Sequence, residues 1–361
     1  MIPLIKPFIP AKEVLMPRLE EILYSGYIAE GEAVSEFENK FGEVIGNKYC
    51  LPVSSGTAAL HISLKLIGVR EGDEVISTAL TAEPTNTTIS LTGAKVVFAD
   101  VDYETGLISA QEIEDSITEK TKAIMVVHYA GMVCDMDKIN SISVKYNVPV
   151  IEDAAHALFS KYNGLYTGNN SRYTCFSFQA IKHITTVDGG MLCLNNEEEY
   201  ERAKKLRWFG LDKTIPRLDN NIIEPGYKYN MNNINATIGL VQLDCIVENA
   251  FKYIENGMYF DNALKNISGV RLIPYYNNTV PSYWVYTLKV EDRDRFIRKL
   301  GDSGISASPL HLRNDRHEIF NNSKKLLNLD KFYNEFVHIP CGWWVNQEAR
   351  EKIVSIIKGG W

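Results

Sequence analysis

The chain has 361 residues, of which 45% are hydrophobic and 23% are charged, and its formal net charge is −7. A chain of this length is too long for one compact core, so two domains, or one large α/β domain with an appendage, are expected. The acidic balance, without a cluster of Lys and Arg, provides no electrostatic footprint for nucleic acid and argues against such a partner.

Cysteine spacing and the N-terminal segment indicate the compartment. The six cysteines are scattered and show no C-x-x-C spacing, which predicts buried free thiols and neither a disulfide framework nor a metal site. The first ten residues contain three prolines and lack the basic start of a signal peptide. No apolar run reaches the roughly 18 residues that a membrane span needs. The sequence therefore predicts a cytoplasmic protein without a membrane partner.

The chain begins with two predicted helices. Apolar residues at helical spacing indicate a helix over residues 11–24, which ends at Ser25 and Gly26. Residues 25–31 are predicted as a loop, and a second helix starts near Val34.

A strand predicted over residues 49–53 leads into the turn Ser54-Ser55-Gly56-Thr57 and then into an Ala- and Leu-rich helix. A small-residue turn at a helix N-terminus presents free backbone N–H groups and a positive helix end, which suits a phosphate. An ordinary helix N-cap explains the same residues, because Ser and Thr favour that position. The sequence alone leaves both interpretations open.

Strand-like runs alternate with helical segments over the next hundred residues, which is typical of a mostly parallel sheet flanked by helices. Ligands of such sheets lie at the carboxyl ends of the strands. The predicted strands are 74–77, 95–99, 122–127 and 148–151, and the helices between them include 110–117 and 136–146.

The last of these strands ends in Glu152 and Asp153, with His156 three residues further on. Two adjacent acids at the ligand-binding edge of a sheet are costly without a cationic partner. For Asp153, a helix cap and a salt-bridged acid are the alternatives.

Lys182 lies within residues 175–190, a run of apolar and small polar residues between a strand-like segment and the Gly189-Gly190 turn. Burial there raises the cost of carrying charge, so the amine can become a nucleophile near neutral pH. Lys182 is thus our candidate for a Schiff base. The alternative is a surface lysine whose stem covers apolar neighbours.

The chain changes character in its last third. Helices are predicted over 197–209 and from about 236 to 266, and strands over 271–274, 283–290 and 305–309 with a helix over 293–300 between the last two. We predict an α/β fold with a large domain over residues 1–245, including an N-terminal arm, and a smaller α+β domain over 246–361.

Three motifs match the requirements of one cofactor, pyridoxal 5'-phosphate. Its phosphate needs backbone donors, its ring nitrogen a carboxylate and its aldehyde an amine. Residues 55–57, Asp153 and Lys182 offer these groups in an order that suits an α/β chain.

At this point the sequence resembles the DegT/DnrJ/StrS sugar aminotransferases, which are fold type I pyridoxal phosphate enzymes. The resemblance runs from about Leu23 to Trp344 and implies a large domain like that of aspartate aminotransferase. Five blocks carry it: residues 26–31 with 37–38, residues 54–60, residues 152–156, residues 177–190 around Lys182, and Gly226-Tyr227 with Asn235-Ala236.

The resemblance implies a role for each matched residue. Lys182 would hold the cofactor aldehyde and later move a proton, Asp153 would pair with the ring nitrogen, and His156 would lie near the ring hydroxyl. The remaining cofactor contacts implied are Ser55, Gly56, Thr57 and Ser177 at the phosphate, Ala82 against the ring and Lys228 at the phosphate of the other subunit.

Two of these positions depart from the family pattern. The family often has an aromatic residue stacking on the ring where this chain has the predicted loop 81–86 around Ala82, and often has Asn where this chain has Lys228. A lysine can serve a phosphate as a point charge. If Lys228 does so across subunits, the active enzyme is a homodimer with shared sites.

Relatives act on nucleoside-diphosphate-linked keto sugars and usually take the amine from glutamate, often for surface glycans. His311 and Arg313, within residues 308–315, and Tyr27 are the expected substrate contacts, and a solvated loop is the alternative for 308–315. Tyr283 and Trp284 are expected to belong to the core.

Other functions are weighed against transamination. A regulatory protein that kept the cofactor is disfavoured by the intact lysine, acid and phosphate loop. A sugar 3-dehydratase of the same family carries histidine where this chain has Lys182. A nicotinamide-dependent oxidoreductase would need a G-x-G-x-x-G turn, and the chain has none.

Overall fold

The computed structural model describes all 361 residues and is built around a seven-stranded sheet. The strand order is β1-β9-β8-β5-β4-β2-β3, and β9 alone runs antiparallel to its neighbours. The small sheets are β10-β12-β13 and β11-β6-β7. The strands are β1 (Tyr49–Val53), β2 (Glu74–Thr78), β3 (Lys95–Ala99), β4 (Thr121–Val127), β5 (Val150–Asp153), β6 (Lys161–Tyr162), β7 (Leu165–Tyr166), β8 (Tyr173–Ser177), β9 (Gly190–Leu194), β10 (Val270–Leu272), β11 (Thr279–Val280), β12 (Tyr286–Val290) and β13 (Phe336–Ile339).

Helices cover both faces of the large sheet, so its central strands are buried on both sides. This explains the nearly continuous apolar sequence of β4 and β9, as is usual for strands covered on both faces. The helices are α1 (Lys12–Tyr24), α2 (Glu32–Ile45), α3 (Gly56–Ile67), α4 (Glu83–Leu91), α5 (Ala110–Asp115), α6 (Met136–Tyr146), α7 (Glu197–Leu206), α8 (Asn233–Ala263), α9 (Arg293–Asp302), α10 (Leu327–Glu335) and α11 (Gln347–Lys358).

The C-terminal part forms its own core around β10, β12 and β13, packed against α9, α11 and the last turns of α8. The N-terminal segment reaches this core, because Ile2 pairs with Ile305 and Trp344 donates a hydrogen bond to the Pro3 carbonyl at 2.9 Å. Helix α8 runs without a break through the predicted boundary at residues 245 and 246. The division into 1–245 and 246–361 therefore stays a prediction.

The α/β class and the mostly parallel sheet are confirmed, and the strands predicted between residues 49 and 127 are present with at most one residue of difference. The strand predicted over 305–309 is wrong: Ile305 and Ser308 form isolated bridges, because each meets a different neighbour. The loop predicted over 81–86 is partly wrong, since Glu83 and Pro84 begin α4 and proline suits a first helical turn.

All six cysteines are free thiols, and five of them are buried, as predicted. No helix in the structure combines the length and the apolar character needed to cross a bilayer.

A single glycine tests the close contact between α8 and the C-terminal core. A Cβ at Gly257 would lie 2.4 Å from the ring of Tyr283, so we expect Gly257→Ala to lower the free energy of unfolding by about 1–3 kcal/mol through overpacking. Urea denaturation measures this. The matched control is Gly301→Ala in α9, where the added methyl group meets nothing within 4 Å. Equal stability of the two variants would contradict the packing.

Candidate active site

A cavity of about 350 Å³ opens at the carboxyl ends of the parallel strands. It lies between the start of α3, the β2–α4 connection, the end of β5 and the turn after β8. Eight residues predicted for the site line this one cavity: Ser55, Gly56, Thr57, Ala82, Asp153, His156, Ser177 and Lys182.

The start of α3 satisfies both interpretations of the Ser-Ser-Gly-Thr turn. The Ser55 hydroxyl accepts a hydrogen bond from the Ala58 N–H at 3.0 Å and is therefore an N-cap. Gly56 and Thr57 are the first helical residues, so their N–H groups have no intrahelical acceptor and face the cavity. A Cβ at Gly56 would lie 2.9 Å from the Ser177 Cβ, so this approach requires glycine.

The two adjacent acids at the end of β5 lie on opposite faces of the sheet, as the alternation of a strand requires. Glu152 is fully buried and accepts a hydrogen bond from His128 Nε2 at 2.6 Å. Asp153 faces the cavity and accepts from the Thr85 hydroxyl at 2.7 Å and the Ala155 N–H at 3.1 Å. The buried histidine thus pairs with Glu152 and not with Asp153, and neither hydrogen bond of Asp153 comes from a cation.

Burial raises the pKa of Asp153, and the hydrogen bonds from Thr85 and Ala155 together with the charge of Lys182 oppose that shift. Thr85 is fixed in turn by Thr81, whose hydroxyl lies 2.8 Å from its own. The carboxylate is thus preorganised by neutral donors and retains the capacity to accept a hydrogen bond from a cation in the cavity.

Lys182 is partly buried in the turn after β8, where its N–H donates to the Gln179 carbonyl at 2.9 Å. Its Nζ lies 4.2 Å from the centroid of the Trp284 ring. Burial lowers the pKa of Lys182 to about 8, against the opposing attraction of Asp153. The amine is therefore partly neutral close to physiological pH, and the neutral form is the one in which a lysine can act as a nucleophile.

His156 is buried in a stack of aromatic rings. Its ring lies 3.8 Å from that of Trp284 at an angle of 17°, and its Nδ1 accepts the Ala130 N–H at 3.3 Å. Burial and the nearby charge of Lys182 lower the pKa of His156 well below its usual value, so the ring is neutral. With Nδ1 as an acceptor, the proton lies on Nε2.

Four predicted residues lie outside the cavity lining. Lys228 donates to Asn230 at 2.7 Å, and its Nζ lies 3.9 Å from the Trp208 ring. Tyr27 is 79% exposed on the surface. His311 stands beside the cavity, with its ring parallel to that of His156 at 6.1 Å and with a buried Nε2 that has no hydrogen-bond partner.

Arg313 is the fourth, and carboxylates of the same chain bind its guanidinium, while its substrate contact stays a prediction. Its guanidinium is 3% exposed, forms two hydrogen bonds of 2.7 Å with Asp315 and contacts Asp330 at 2.5 Å. A guanidinium held by two carboxylates fixes the conformation of this loop beside the cavity.

Sequence reasoning missed Thr85 and Trp284. Thr85 was placed in a loop, although its spacing of four residues from Thr81 at a Pro-marked helix start was a usable signal. Trp284 is 1% exposed and so belongs to the core as expected, but its contacts with Lys182 and His156 depend on tertiary packing that no local pattern shows.

The strand order, the buried acid on β5 and the lysine after β8 define the fold type I aminotransferase class. Solved structures agree over the full chain. AtS13 from Actinomadura melliaura is 36% identical with a TM-score of 0.97, covering 100% of this chain and 99% of that one. Sugar aminotransferase CalS13 from Micromonospora echinospora is 34% identical with a TM-score of 0.96 and full coverage of both chains.

A third structure carries the cofactor in its name. The pyridoxal phosphate form of the putative sugar aminotransferase Spr1654 from Streptococcus pneumoniae is 27% identical with a TM-score of 0.90, covering 99% of this chain and 98% of that one. Residues 11–358 match the DegT/DnrJ/EryC1/StrS aminotransferase family, and the chain belongs to this family.

The two acids of β5 allow a matched test of stability in the cofactor-free protein. Glu152→Gln breaks a buried charge-assisted hydrogen bond and is expected to cost about 1–3 kcal/mol of unfolding free energy. Asp153→Asn removes a charge that burial disfavours at neutral pH, which offsets the weakened hydrogen bonds, so a loss below about 1 kcal/mol is expected. Urea denaturation at pH 7 measures both, and the reverse order would contradict the described roles.

Proposed function

We propose that this protein is a pyridoxal-phosphate-dependent aminotransferase that converts a nucleoside-diphosphate-linked keto sugar to an amino sugar, with L-glutamate as the amino donor. The observation that carries the proposal is the pairing, in one cavity, of a buried carboxylate without a cationic partner and a lysine amine of lowered pKa. The family assignment and the similarity to sugar aminotransferases support it.

The donor set fits this cofactor. Asp153 offers its carboxylate to the ring nitrogen, the free N–H groups at the start of α3 with Ser177 offer donors to the phosphate, and Lys182 offers its amine to the aldehyde. When bound, the cofactor ring takes up the electron pair released at the substrate carbon. Ala82 supplies only a methyl group to the cavity, which leaves room beside the ring.

Lys182 also has the acidity needed for proton transfer. A general acid–base group works best with a pKa close to the working pH, and the pKa of about 8 meets this condition. Asp153 favours the protonated ring by charge and by hydrogen bonding. His156 is neutral and presents Nε2–H, so it can donate a hydrogen bond without adding a second positive charge beside Lys182.

The substrate assignment rests on the neighbours of the cavity and on the relatives. The unpartnered Nε2 of His311 supports its role as a polar contact for a sugar hydroxyl or the diphosphate. Exposed Tyr27 remains our candidate for a contact made by the assembled protein. Delivery of amino sugars to surface glycans and a cytoplasmic location stay predictions.

The dehydratase alternative is disfavoured by Lys182 itself, because the amine lies in the cavity where the dehydratases carry histidine. A purely regulatory role is disfavoured by the intact combination of lysine, acid and phosphate loop in one cavity.

We also propose a homodimer. Large apolar side chains are exposed in residues 24–28 and in residues 215–223, the segment that precedes Lys228 in the chain, and exposed apolar groups of this kind mark association surfaces. Symmetric pairing of this surface would bury the side chains and bring Lys228 toward the partner's cavity. The exposed residues are Tyr24, Tyr27, Ile28, Ile215, Leu218, Ile222 and Ile223.

Cofactor chemistry at Lys182 gives a direct test. The protein with pyridoxal phosphate is expected to be yellow, to lose the colour with glutamate, and to carry the cofactor on a peptide containing Lys182 after borohydride reduction and mass spectrometry. Lys182→Ala is expected to retain below about 1% of the transamination rate with the fold intact, since both the nucleophile and the proton carrier are lost. Lys265→Ala, at an exposed position on the surface, is the control. A colourless protein unaffected by glutamate would remove the proposal.

Mixing inactive variants tests the shared site. Lys182→Ala and Lys228→Ala subunits, mixed and allowed to exchange, form heterodimers in which one site holds both native lysines if Lys228 acts across the interface. Statistical mixing then restores about a quarter of the wild-type activity, because half of the dimers carry one intact site. Activity no higher than the sum of the separate variants would show that Lys228 does not serve the partner's site.

A further inference from the structure

Trp284 contacts three parts of the candidate site although it lies in the core. Its indole N–H donates to the Ile181 carbonyl at 2.8 Å, which anchors the residue directly before Lys182. Its ring lies 4.2 Å from Lys182 Nζ and 3.8 Å from the His156 ring. One side chain therefore touches both the amine and the neutral histidine of the cavity.

The indole is itself held by the C-terminal core. Tyr283, with a φ of +50°, turns the chain before Trp284, and its hydroxyl donates to Asp261 on α8 at 2.8 Å. Asp261 also accepts the hydroxyls of Tyr275 and Tyr286. A left-handed tyrosine persists only where its surroundings fix it, so the direction of Trp284 is set by this cluster.

We propose that Trp284 is a positioning residue for transamination. Its indole face holds the Lys182 amine at the cavity. Its indole N–H fixes the turn at Ile181, and its ring fixes the ring of His156 by stacking. The inference rests on the proposed function of Lys182 as the reactive amine. An indole face attracts an ammonium group more strongly than any other side-chain ring does. The amine is thus kept near the cavity between its reactive events.

The sign of a pKa change separates this role from simple packing. The indole face stabilises the ammonium form, so its replacement by an apolar side chain of similar burial lowers the pKa of Lys182. A purely structural loss of packing would instead admit water, which raises the pKa toward the value of a free lysine.

The experiment uses the full-length protein without cofactor. Trace labelling with acetic anhydride, followed by mass spectrometry of the peptide containing Lys182, gives the pKa of the amine from the pH dependence of the labelling rate. The wild-type midpoint is expected near 8. Trp284→Leu is expected to lower it by about 0.5–1 unit, and Trp284→Phe by less, because phenylalanine keeps a weaker aromatic face.

The control is Trp343→Phe, at a remote indole that carries its own lysine, Lys6, at 4.9 Å. It is expected to leave the Lys182 midpoint unchanged. A midpoint that is unchanged or raised in Trp284→Leu overturns the proposal. If near-ultraviolet circular dichroism shows that Trp284→Leu does not fold, the Lys182 midpoint is measured in Trp284→Phe instead. An unchanged midpoint in Trp284→Phe overturns the proposal equally.

Failure of the proposed function remains distinguishable, since the labelling needs neither cofactor nor substrate. A lowered midpoint in a protein that never binds pyridoxal phosphate would support the contact of Trp284 with Lys182 and refute the transaminase. Normal transamination by the wild-type protein together with an unshifted Lys182 midpoint in Trp284→Leu would support the transaminase and refute the role of Trp284.

Discussion

The structure depends on a carboxylate that is buried without an ionic partner. Asp153 is held at the end of β5 by a threonine hydroxyl and one backbone N–H. Its neighbour Glu152 is hydrogen-bonded to His128 on the opposite face of the sheet. Such a group opposes folding unless a positive charge enters the cavity. Asp153 is therefore available to bind a cationic ring. Lys182, the N-terminus of α3 and His156 line the same cavity.

The cavity is built by elements far apart in the sequence. Helix α3 supplies backbone donors, the first turn of α4 supplies Thr85, and the segment before β12 supplies Trp284 beside the lysine. The large sheet gives precise positions, because its strands are buried on both faces and cannot shift in register without exposing apolar side chains. The loop with His311 is fixed separately, by the paired carboxylates on Arg313.

The sequence predicted the α/β class and most of the cavity because the relevant signals are local. A strand followed by Ser-Ser-Gly-Thr, an acid at a strand end and a lysine before a glycine pair can each be recognised without tertiary information. The ion pair of Arg313 with Asp330 could not be foreseen because Asp330 lies on another element. The contact of Trp284 with Lys182 was missed because a core aromatic residue looks the same in the sequence whether or not it touches a lysine. The strand predicted over 305–309 was wrong because Ile305 and Ser308 pair with different neighbours and so form two single bridges instead of one strand.

Helix α8 limits how the protein can admit a large substrate. Its 31 residues form a rod about 45 Å long without an internal proline, and they contribute to the hydrophobic cluster around Phe37 and Phe178 and to the C-terminal core. A helix that continues unbroken through both of these cores provides no hinge of its own between them. Under the proposed function, a bulky substrate would therefore enter past the short surface segments beside the cavity.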